Sequence, residues 1–520
     1  MASQSVQVGA PQSSTFSHSY NFASLYPGSI AASVSGPGWT TSILVVVVSL
    51  LVLEQSVYRH KKAHLPGAKW TIPIIGKFAD SLKPSMSAYH QTWAYPLTAT
   101  SVFNIFIVMA ADNTLTRKIL NSPNHTEPCL VSAAKSVLIP ENWVFLGGRE
   151  HAEYRKGLNV LFTRRALSIY LKVQEGIYKR YFENWLKNTE NGYKPHMSEC
   201  RNLNMETSLR VFCGNYLSAE ACQIMSDQYS LITGALQLVN FPLALPGTKV
   251  YKAIQARKVA MKYFMFCSAE SKKHMAGGAE PVCLLDEWVR EMIAFDAYNQ
   301  AKANGDVLPS KSTVTREYSD YEIAMVLLSF LFASQDAMTS GLIFAFQHIA
   351  DYPAVFAKIR AEQLEVRQGD VDAPLTLELM DQMPYLRAFI KETLRLKPPV
   401  LMVPYMAKKA FPISENYTCP KGSIVIPSFW NSLHDPSVYT DPDELIPERW
   451  LAGGQAEHSN PQNYLVFGSG PHKCVAYDYA VMHLGAVIGT AKSKRAIIPT
   501  IYPQDDCLLQ FRKADLTSAA

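Results

Sequence analysis

A long apolar segment in the second half of the chain restricts the fold more than any other feature. It starts at Ser319, where a glutamate three residues later, Glu322, predicts a capping box. The apolar run continues through Phe346 and stops before Pro353. About 30 residues at about 1.5 Å each give a helix of about 45 Å, long enough to cross a whole domain. Because a helix that is apolar on most sides is buried, the segment predicts a large, mainly helical domain.

The composition suits a large globular enzyme. Of the 520 residues, 48% are hydrophobic and 11% are aromatic, which argues against general disorder. The formal net charge of +5 is small for this length and the sequence has no dense Lys/Arg tract, so we expect no nucleic-acid partner. The nine cysteines form no C-x-x-C pair, which argues against a zinc site and a disulfide framework and indicates a reduced, cytosol-facing chain.

The N-terminal region predicts a flexible tail followed by a membrane anchor. Residues 1–38 are rich in Ser, Ala, Gly and Pro and contain no Lys, Arg, Asp or Glu. The apolar segment 39–58 has about 20 residues, enough to span a bilayer, although Glu54 interrupts it. Basic residues follow on its C-terminal side only, which predicts a cytosolic main domain. The alternatives are a signal peptide, whose basic n-region is absent here, and a buried strand, because valine favours strands.

The rest of the sequence predicts a linker and one domain. Residues 59–76 are basic and proline-rich, and Pro66 and Gly67 break any helix there. Residues 77–515 contain no internal repeat and no later long linker, so we expect a single catalytic domain. Strand signals concentrate at 99–109 and 400–427, and helical periodicity dominates elsewhere.

Cys474 is the first candidate functional residue. It follows Phe467 in a glycine-containing loop, where Gly468 and Gly470 allow a sharp bend before a helix. A helix N-terminus and the neighbouring Lys473 and His472 favour the anionic sulfur. A cysteine thiolate on haem iron favours cleavage of the O–O bond. From these residues alone, a buried and inert cysteine is the alternative.

The middle of the long apolar helix carries a polar segment, residues 332–337. An acid such as Asp336 inside an apolar helix is costly unless it is used or paired. One interpretation is a groove at which the helix opens, where small residues admit dioxygen and Asp336 helps to deliver protons. The alternative is an aspartate that is hydrogen-bonded to nearby backbone.

Two sets of charged residues are further candidates. Glu392 and Arg395 are three residues apart, so they share a helix face and can form an ion pair, and Arg449 can join them in a buried network with a structural role. His151 and Arg155 are one helical turn apart and can bind an anionic group. The alternative for the second pair is a solvated basic face.

The order of these motifs resembles that of the cytochrome P450 superfamily. The order is Arg155, the long helix with its acid, Glu392-x-x-Arg395, Pro-Glu-Arg449 and Phe467-x-x-Gly470-x-His472-x-Cys474. Further segments resemble the sterol 22-desaturase family of ergosterol synthesis, namely 67–70, 142–146, 154–159, 161–164, 332–337, 399–405 and 505–509. The resemblance covers about residues 50–512 and implies a mainly α cytochrome P450 fold with a small β-rich lobe. The N-terminal transmembrane helix that the apolar segment predicts would precede this fold.

The resemblance also implies a cofactor, haem b, and a set of site residues. Cys474 would be the axial ligand of the haem iron, and Asp336 and Gln335 would serve oxygen activation. The other cofactor-binding residues would be His472, Arg155 and His151 at the propionates, with Phe467 and Gly468 on the proximal side. The sterol cavity would be lined by Phe332, Ala333, Leu401, Met402 and Val403.

The implied activity is sterol C-22(23) desaturation in an endoplasmic reticulum membrane, by a single-pass protein with its catalytic domain in the cytosol. Dioxygen is the oxidant, and an NADPH-dependent flavoprotein reductase supplies electrons at the face near Lys473. A sterol or fatty-acid hydroxylase on the same scaffold and a degenerate haem-binding protein are the alternatives. The sequence departs from the superfamily pattern at Ala337, where threonine is usual, at Ala476, where glycine is usual, at Tyr477-Asp478, and in a shortened region at 489–503.

Overall fold

The computed structural model describes residues 38–77, 86–129, 132–190, 192, 194–235, 244–370, 373–454, 462–490 and 508–509. The chain divides into two compact units, residues 1–53 and 54–520. The described part is mainly helical with small sheets, as the sequence predicts. The predicted tail at 1–37 and most of the shortened region at 489–503 lie outside the described residues.

The first helix, α1 (Trp39–Lys62), has 24 residues and ends in the basic cluster Arg59, His60, Lys61 and Lys62. Its most apolar stretch has a mean hydropathy of 1.9 and is only 6% buried, so its length and exposed apolar surface suit a membrane anchor. A second helix, described below, is also long and apolar enough to span a membrane, but 67% of its most apolar stretch is buried inside the protein.

The segment after α1 folds back along the last turns of that helix. The Ile74 N–H donates to Glu54 Oε1 at 2.8 Å, and the Thr71 N–H donates to Gln55 Oε1 at 3.1 Å. The Tyr58 hydroxyl donates to the Ala68 carbonyl at 2.9 Å. Glu54, which interrupts the apolar run of the sequence, therefore serves as an acceptor for the linker backbone.

The main sheet of the globular unit has five strands. Three of them come from residues 97–128 and two from residues 405–427. The strand order is β1-β2-β8-β5-β3, with β2 and β8 parallel and the other neighbours antiparallel. Pairing of Val108 with Val425 joins the two segments in which the sequence predicts strands. The strands are β1 (Leu97–Val102), β2 (Ile105–Ala110), β3 (Thr126–Pro128), β4 (Lys194–Pro195), β5 (Tyr405–Ala407), β6 (Phe411–Ser414), β7 (Tyr417–Cys419), β8 (Ile424–Pro427) and β9 (Leu508–Leu509). Strand β4 pairs with β9, and β6 pairs with β7.

Helices form the larger lobe of the globular unit. In chain order they are α2 (Met86–Trp93), α3 (Asn113–Leu120), α4 (Ser132–Leu138), α5 (Gly148–Leu158), α6 (Arg164–Asn188), α7 (Met197–Cys213), α8 (Ala219–Ala235), α9 (Lys249–Ala276), α10 (Leu284–Asn304), α11 (Asp320–Asp351), α12 (Pro353–Val366), α13 (Leu377–Asp381), α14 (Pro384–Leu396), α15 (Trp430–Leu433) and α16 (Tyr477–Thr490).

Helix α11 is the predicted long apolar helix and runs for 32 residues. Its capping box is present: Ser319 Oγ accepts from the Glu322 N–H at 3.2 Å, and Glu322 Oε2 accepts from the Ser319 N–H at 3.0 Å. The helix packs against α7, α9, α14 and α16, which bury most of its surface. A proline, Pro353, starts the next helix. This central position places the middle of α11 beside the candidate site.

Candidate functional site

A cavity of about 460 Å³ is lined by both α11 and the loop that carries Cys474, here called the cysteine loop (residues 465–476). Most of its lining is apolar. Helix α11 contributes one stripe of its surface, at Ser329, Phe330, Ala333, Ser334, Ala337 and Met338. Because these positions repeat every four residues, they lie on one face of the helix.

Two glycines shape the cysteine loop as the sequence predicts. Gly468 and Gly470 have φ values of +69° and +73°, which L side chains rarely adopt. A Cβ atom at Gly470 would lie 2.3 Å from the Leu120 carbonyl oxygen, so α3 and the loop approach too closely there for any side chain. The Cys474 N–H donates to the Phe467 carbonyl at 2.9 Å and closes the loop just before α16. The loop thus presents Cys474 to the cavity.

Opposing effects act on the Cys474 thiol. The residue is accessible because it faces the cavity, yet protein surrounds it, and this burial raises the pKa of the thiol. Three neighbours lower the pKa of the thiol, but their combined effect is smaller than that of burial. They are the Ala476 N–H, Arg155 and Lys473. The helix terminus and Lys473 thus act in the direction that the sequence predicts, although burial has the larger effect on the pKa of the thiol. A bound metal ion deprotonates a coordinating thiol outright.

Three basic residues line the cavity, namely His151, Arg155 and His472. The rings of His151 and His472 lie 4.0 Å apart, and Trp143 stacks on His151 at 5.7 Å. Burial and the neighbouring Arg155 lower the pKa of His151, and burial is the main cause that lowers the pKa of His472 to about 4. The imidazoles are therefore neutral near pH 7, and Arg155 carries the charge.

The Arg155 guanidinium has no hydrogen-bonded or ionic partner among the residues that the structure describes, although it is half-buried. Burial lowers the pKa of Arg155, and the charged form is costly there without a counter-charge. An anionic group in the cavity would provide that counter-charge. An apolar cavity with one thiol and one unpaired guanidinium fits an iron porphyrin, whose metal takes the sulfur and whose propionates take the cation.

Asp336 and Gln335 do not line the cavity. Asp336 is 58% exposed and lies 3.4 Å from Arg201 of α7, so the expectation of an acid deep inside the helix is wrong. Gln335 is buried and its Nε2 donates to the Arg201 carbonyl at 3.5 Å. Phe332 packs against the hydrophobic core and also lies outside the lining. The helical rotation of about 100° per residue turns these three side chains away from the stripe that faces the cavity.

The segment after α14 contributes to the cavity at some positions only. Val400 and Val403 line it, whereas Leu401 and Met402 do not. The Leu401 carbonyl accepts from the Phe429 N–H at 2.9 Å, and Met402 forms an isolated bridge with Ser428. Of the predicted sterol-cavity residues, the structure therefore brings Ala333 and Val403 to the cavity. The sequence did not identify six other lining residues, namely Ser334, Ala337, Phe330, Phe212, Val144 and Trp143. One of them was within reach of the helical period, because Ala337 lies four residues after Ala333 and so shares its face.

The Glu392 network lies beside the site. Glu392 accepts from Arg395 at 2.8 Å and 2.9 Å and from Arg449 at 2.9 Å, and the Trp450 indole N–H donates to it at 2.8 Å. All three charged side chains are buried. Burial pushes the pKa of Glu392 up, but both guanidiniums and Trp450 outweigh it and hold that pKa below its usual range. The remaining Arg395 donors bond the carbonyls of Leu433, Pro442 and Glu444, so the network ties α14 to the chain that leads into the cysteine loop.

Comparison with known proteins finds relatives that align with about nine tenths of this chain. The sequence profile of the cytochrome P450 family matches residues 89–491. A C-22 sterol desaturase of Aspergillus fumigatus is 43% identical over 472 residues, which cover 89% of this chain and 90% of the relative. The C-22 sterol desaturase of Saccharomyces cerevisiae is 43% identical over 488 residues, 90% of this chain and 89% of the relative. A retinoic acid-bound structure of a cyanobacterial protein has the same fold, with a TM-score of 0.72 at 19% identity over 86% of this chain and 99% of that chain.

Proposed function

The chain belongs to the cytochrome P450 family, and from that premise we propose that it is a sterol C-22(23) desaturase of ergosterol biosynthesis with haem b as its cofactor. The observation that carries the proposal is the 43% identity to fungal C-22 sterol desaturases over about nine tenths of both chains. The largely apolar cavity beside Cys474 supports it, because a sterol side chain has no polar group to satisfy.

The haem-binding residues that we propose are those that meet at the cavity. Cys474 provides the sulfur ligand of the iron, and Arg155 with the neutral rings of His151 and His472 holds the propionates. Phe467 packs on the loop side, where its ring contacts Tyr477 edge to face at 4.6 Å, and Gly468 allows the bend. When bound, haem b supplies the oxidation of an unactivated C–H bond by dioxygen and two electrons.

The protein's own contribution to the reaction is placement of the sterol side chain. Overall, one hydrogen leaves C-22 and one leaves C-23, a double bond forms between these carbons, and dioxygen with two electrons and two protons becomes two waters. Ala333 and Val403, with Val400 and Phe212 beside them in the lining, exclude water and hold the side chain by shape. Five of the residues expected at the site lie outside the lining, so they would act on the sterol only through their neighbours. They are Asp336, Gln335, Phe332, Leu401 and Met402.

The electron donor that we propose is an NADPH-dependent flavoprotein reductase. Lys473 is exposed next to Cys474 and lies over the Tyr477 ring at 5.6 Å, so it offers positive charge on the side of the cysteine loop. An acidic flavoprotein surface is complementary to such a charge, and it would approach the sulfur side of the haem.

The proposed location is the endoplasmic reticulum membrane, with α1 as a single span and the globular unit in the cytosol. The four basic residues in the last turn of α1 belong to the globular unit, residues 54–520, and an excess of Lys and Arg marks the cytosolic flank of a span. Sterol substrates partition into membranes, which suits an anchored enzyme.

Reconstitution of the purified chain with a reductase, NADPH and an ergosterol precursor tests the proposed function. Mass spectrometry of the product should show the loss of two hydrogens and a double bond at C-22. A gain of one oxygen would instead identify a hydroxylase on the same scaffold. A protein that binds haem but is not reduced by the reductase would be a degenerate haem carrier, and either of these results would contradict the proposal.

A further inference from the structure

We propose that the Ser334 hydroxyl delivers protons to dioxygen in the cavity, and that Ser208 of α7 replaces each proton that Ser334 gives up. The inference rests on the proposed function, because only reduction of dioxygen at this site consumes protons. It goes beyond that function because it assigns proton delivery to Ser334 and Ser208, whereas the sequence alone points to Asp336.

Reduction of dioxygen to water takes up protons, and a positioned side-chain donor speeds such a step by about 10²–10⁴-fold. The donor must reach the cavity. Among the described residues of α11, Ser329 and Ser334 are the only polar side chains in the cavity lining. Ala337, one turn after Ser334 on the same stripe, has no proton to give.

The Ser329 hydroxyl already uses its proton and one lone pair in hydrogen bonds to the protein. Its hydroxyl donates to the Val326 carbonyl at 2.7 Å and accepts from the Trp143 indole N–H at 3.0 Å. Ser334 has a looser bond to its own helix, at 3.2 Å from the Leu331 carbonyl, and a second hydroxyl, Ser208 Oγ, at 3.3 Å. The Ser334 proton is therefore the one that can reorient toward the cavity.

The other polar side chains of this helix segment are turned away. Asp336 is exposed and paired with Arg201, and Gln335 faces α7. Thr339 donates to the Gln335 carbonyl at 2.7 Å and accepts from Asn204 at 3.0 Å, so its hydroxyl is occupied inside the helix bundle. None of these three lines the cavity, and none has the position that a proton donor to bound dioxygen needs.

Ser208 provides the second half of the relay. It is only 5% exposed, and its side chain has no hydrogen-bond partner other than Ser334 in the part of the chain that the structure describes. In the step that we propose, the O–H bond of Ser334 breaks as an O–H bond forms on reduced oxygen. The Ser208 proton then moves to Ser334 Oγ, and solvent returns a proton to Ser208 through the 5% of that residue that remains exposed. The electrons come from the reductase, so each serine ends as it began.

Four variants and two measurements test the relay on the full-length haem protein. The variants are Ser334→Ala, Ser334→Thr, Ser208→Ala and, as a matched control, Thr339→Val, which removes a hydroxyl from the same helix outside the cavity. The first measurement is the infrared C–O stretch of the reduced protein with carbon monoxide, which responds to a hydroxyl beside the bound gas. The second is hydrogen peroxide released per NADPH consumed, because reduced oxygen that is not protonated by the positioned donor takes up two protons elsewhere and leaves as hydrogen peroxide before its O–O bond is cleaved.

Ser334→Ala should shift the C–O stretch and lower product per NADPH by about 10²-fold, with peroxide in its place. Ser334→Thr should restore both values. Ser208→Ala should raise peroxide but keep the wild-type C–O stretch, and Thr339→Val should leave both unchanged. Wild-type values in Ser334→Ala, or an equal effect in Thr339→Val, would overturn the relay. The C–O stretch and the peroxide yield require no desaturated sterol, so a wild-type protein that forms none would contradict the proposed function alone.

Discussion

The imidazole rings of His151 and His472 lie 4.0 Å apart, and this contact joins α5 to the cysteine loop. Burial is the main cause that lowers the pKa of both rings, that of His472 to about 4. Two neutral imidazoles therefore flank a single guanidinium, that of Arg155, in the same cavity. This arrangement makes Arg155 the residue on which binding of an anionic cofactor depends most.

Substitution of Arg155 should weaken haem retention. Arg155→Met keeps most of the side-chain volume but removes the charge, and a charge-assisted hydrogen bond contributes about 1.5–3 kcal/mol, so we expect haem loss to be about 10- to 100-fold faster. Transfer of haem to apomyoglobin, followed by its absorbance, measures the rate. Lys156→Met, the loss of an exposed charge at the next position, is the control. Equal rates in the two variants would contradict the assignment of Arg155 to a propionate.

The two loop glycines should differ in their tolerance of alanine. Both have positive φ, which costs an alanine about 1–2 kcal/mol, but only at Gly470 does a Cβ atom also collide with backbone, the Leu120 carbonyl. A Cβ at Gly468 meets nothing within 4 Å. We expect Gly468→Ala to retain haem with modest loss of stability and Gly470→Ala to be isolated largely without haem. The ratio of Soret to protein absorbance measures this difference, and similar ratios for the two variants would argue against the loop geometry.

Removal of the Glu392 carboxylate should destabilise the fold strongly. Glu392→Ala leaves Arg395 and Arg449 buried without their counter-charge, and breaking a buried ion pair in this way costs about 3–5 kcal/mol. The fraction of protein that folds with haem and the urea midpoint of the purified protein both report the effect. Glu378→Ala breaks an exposed pair with Arg164 and should change the midpoint little. If both variants have the same midpoint, the network does not hold this region together.

Acid should remove the stabilisation that the capping box of α11 provides. Burial opposes ionisation of Glu322, but Arg316 and the Ser319 N–H and hydroxyl outweigh it and lower the pKa of Glu322 to about 2. Because the folded pKa lies below the unfolded value, this contribution is complete above about pH 4.5 and is lost as the pH falls toward 2. We expect Glu322→Gln to lower the thermal midpoint at neutral pH, and we expect its difference from the wild type to shrink below about pH 4.5 and to vanish only as the pH falls through about 2. A difference between the two proteins that does not shrink with acid would contradict this origin.

Several elements of the fold could be predicted from local sequence because local chemistry determines them. The capping box at Ser319 fixes the start of α11, Pro353 follows its end, and Glu392 and Arg395 pair because three residues return the helix to one face. The cysteine loop follows from its glycines. In each case the deciding interaction lies within a few residues of the motif.

The placement of Asp336, Leu401 and Met402 could not be predicted in the same way. Helix α11 is apolar on most of its sides, so its sequence does not show which side faces a cavity and which faces α7. The segment at 400–403 is irregular, and pairing of Met402 with Ser428 far along the chain decides which side chains turn inward. The orientation of the side chains in both segments therefore depends on neighbours that are distant in sequence.

Coordination of the haem iron by Cys474 is tested most directly by the carbon monoxide difference spectrum of the reduced protein. The wild-type protein should show the band typical of a thiolate ligand, and so should Cys129→Ala, which removes a cysteine that does not line the cavity. Cys474→Ala should lack that band and form no desaturated sterol with the reductase. A thiolate-type band together with full desaturation in Cys474→Ala would contradict this assignment and the function that depends on it.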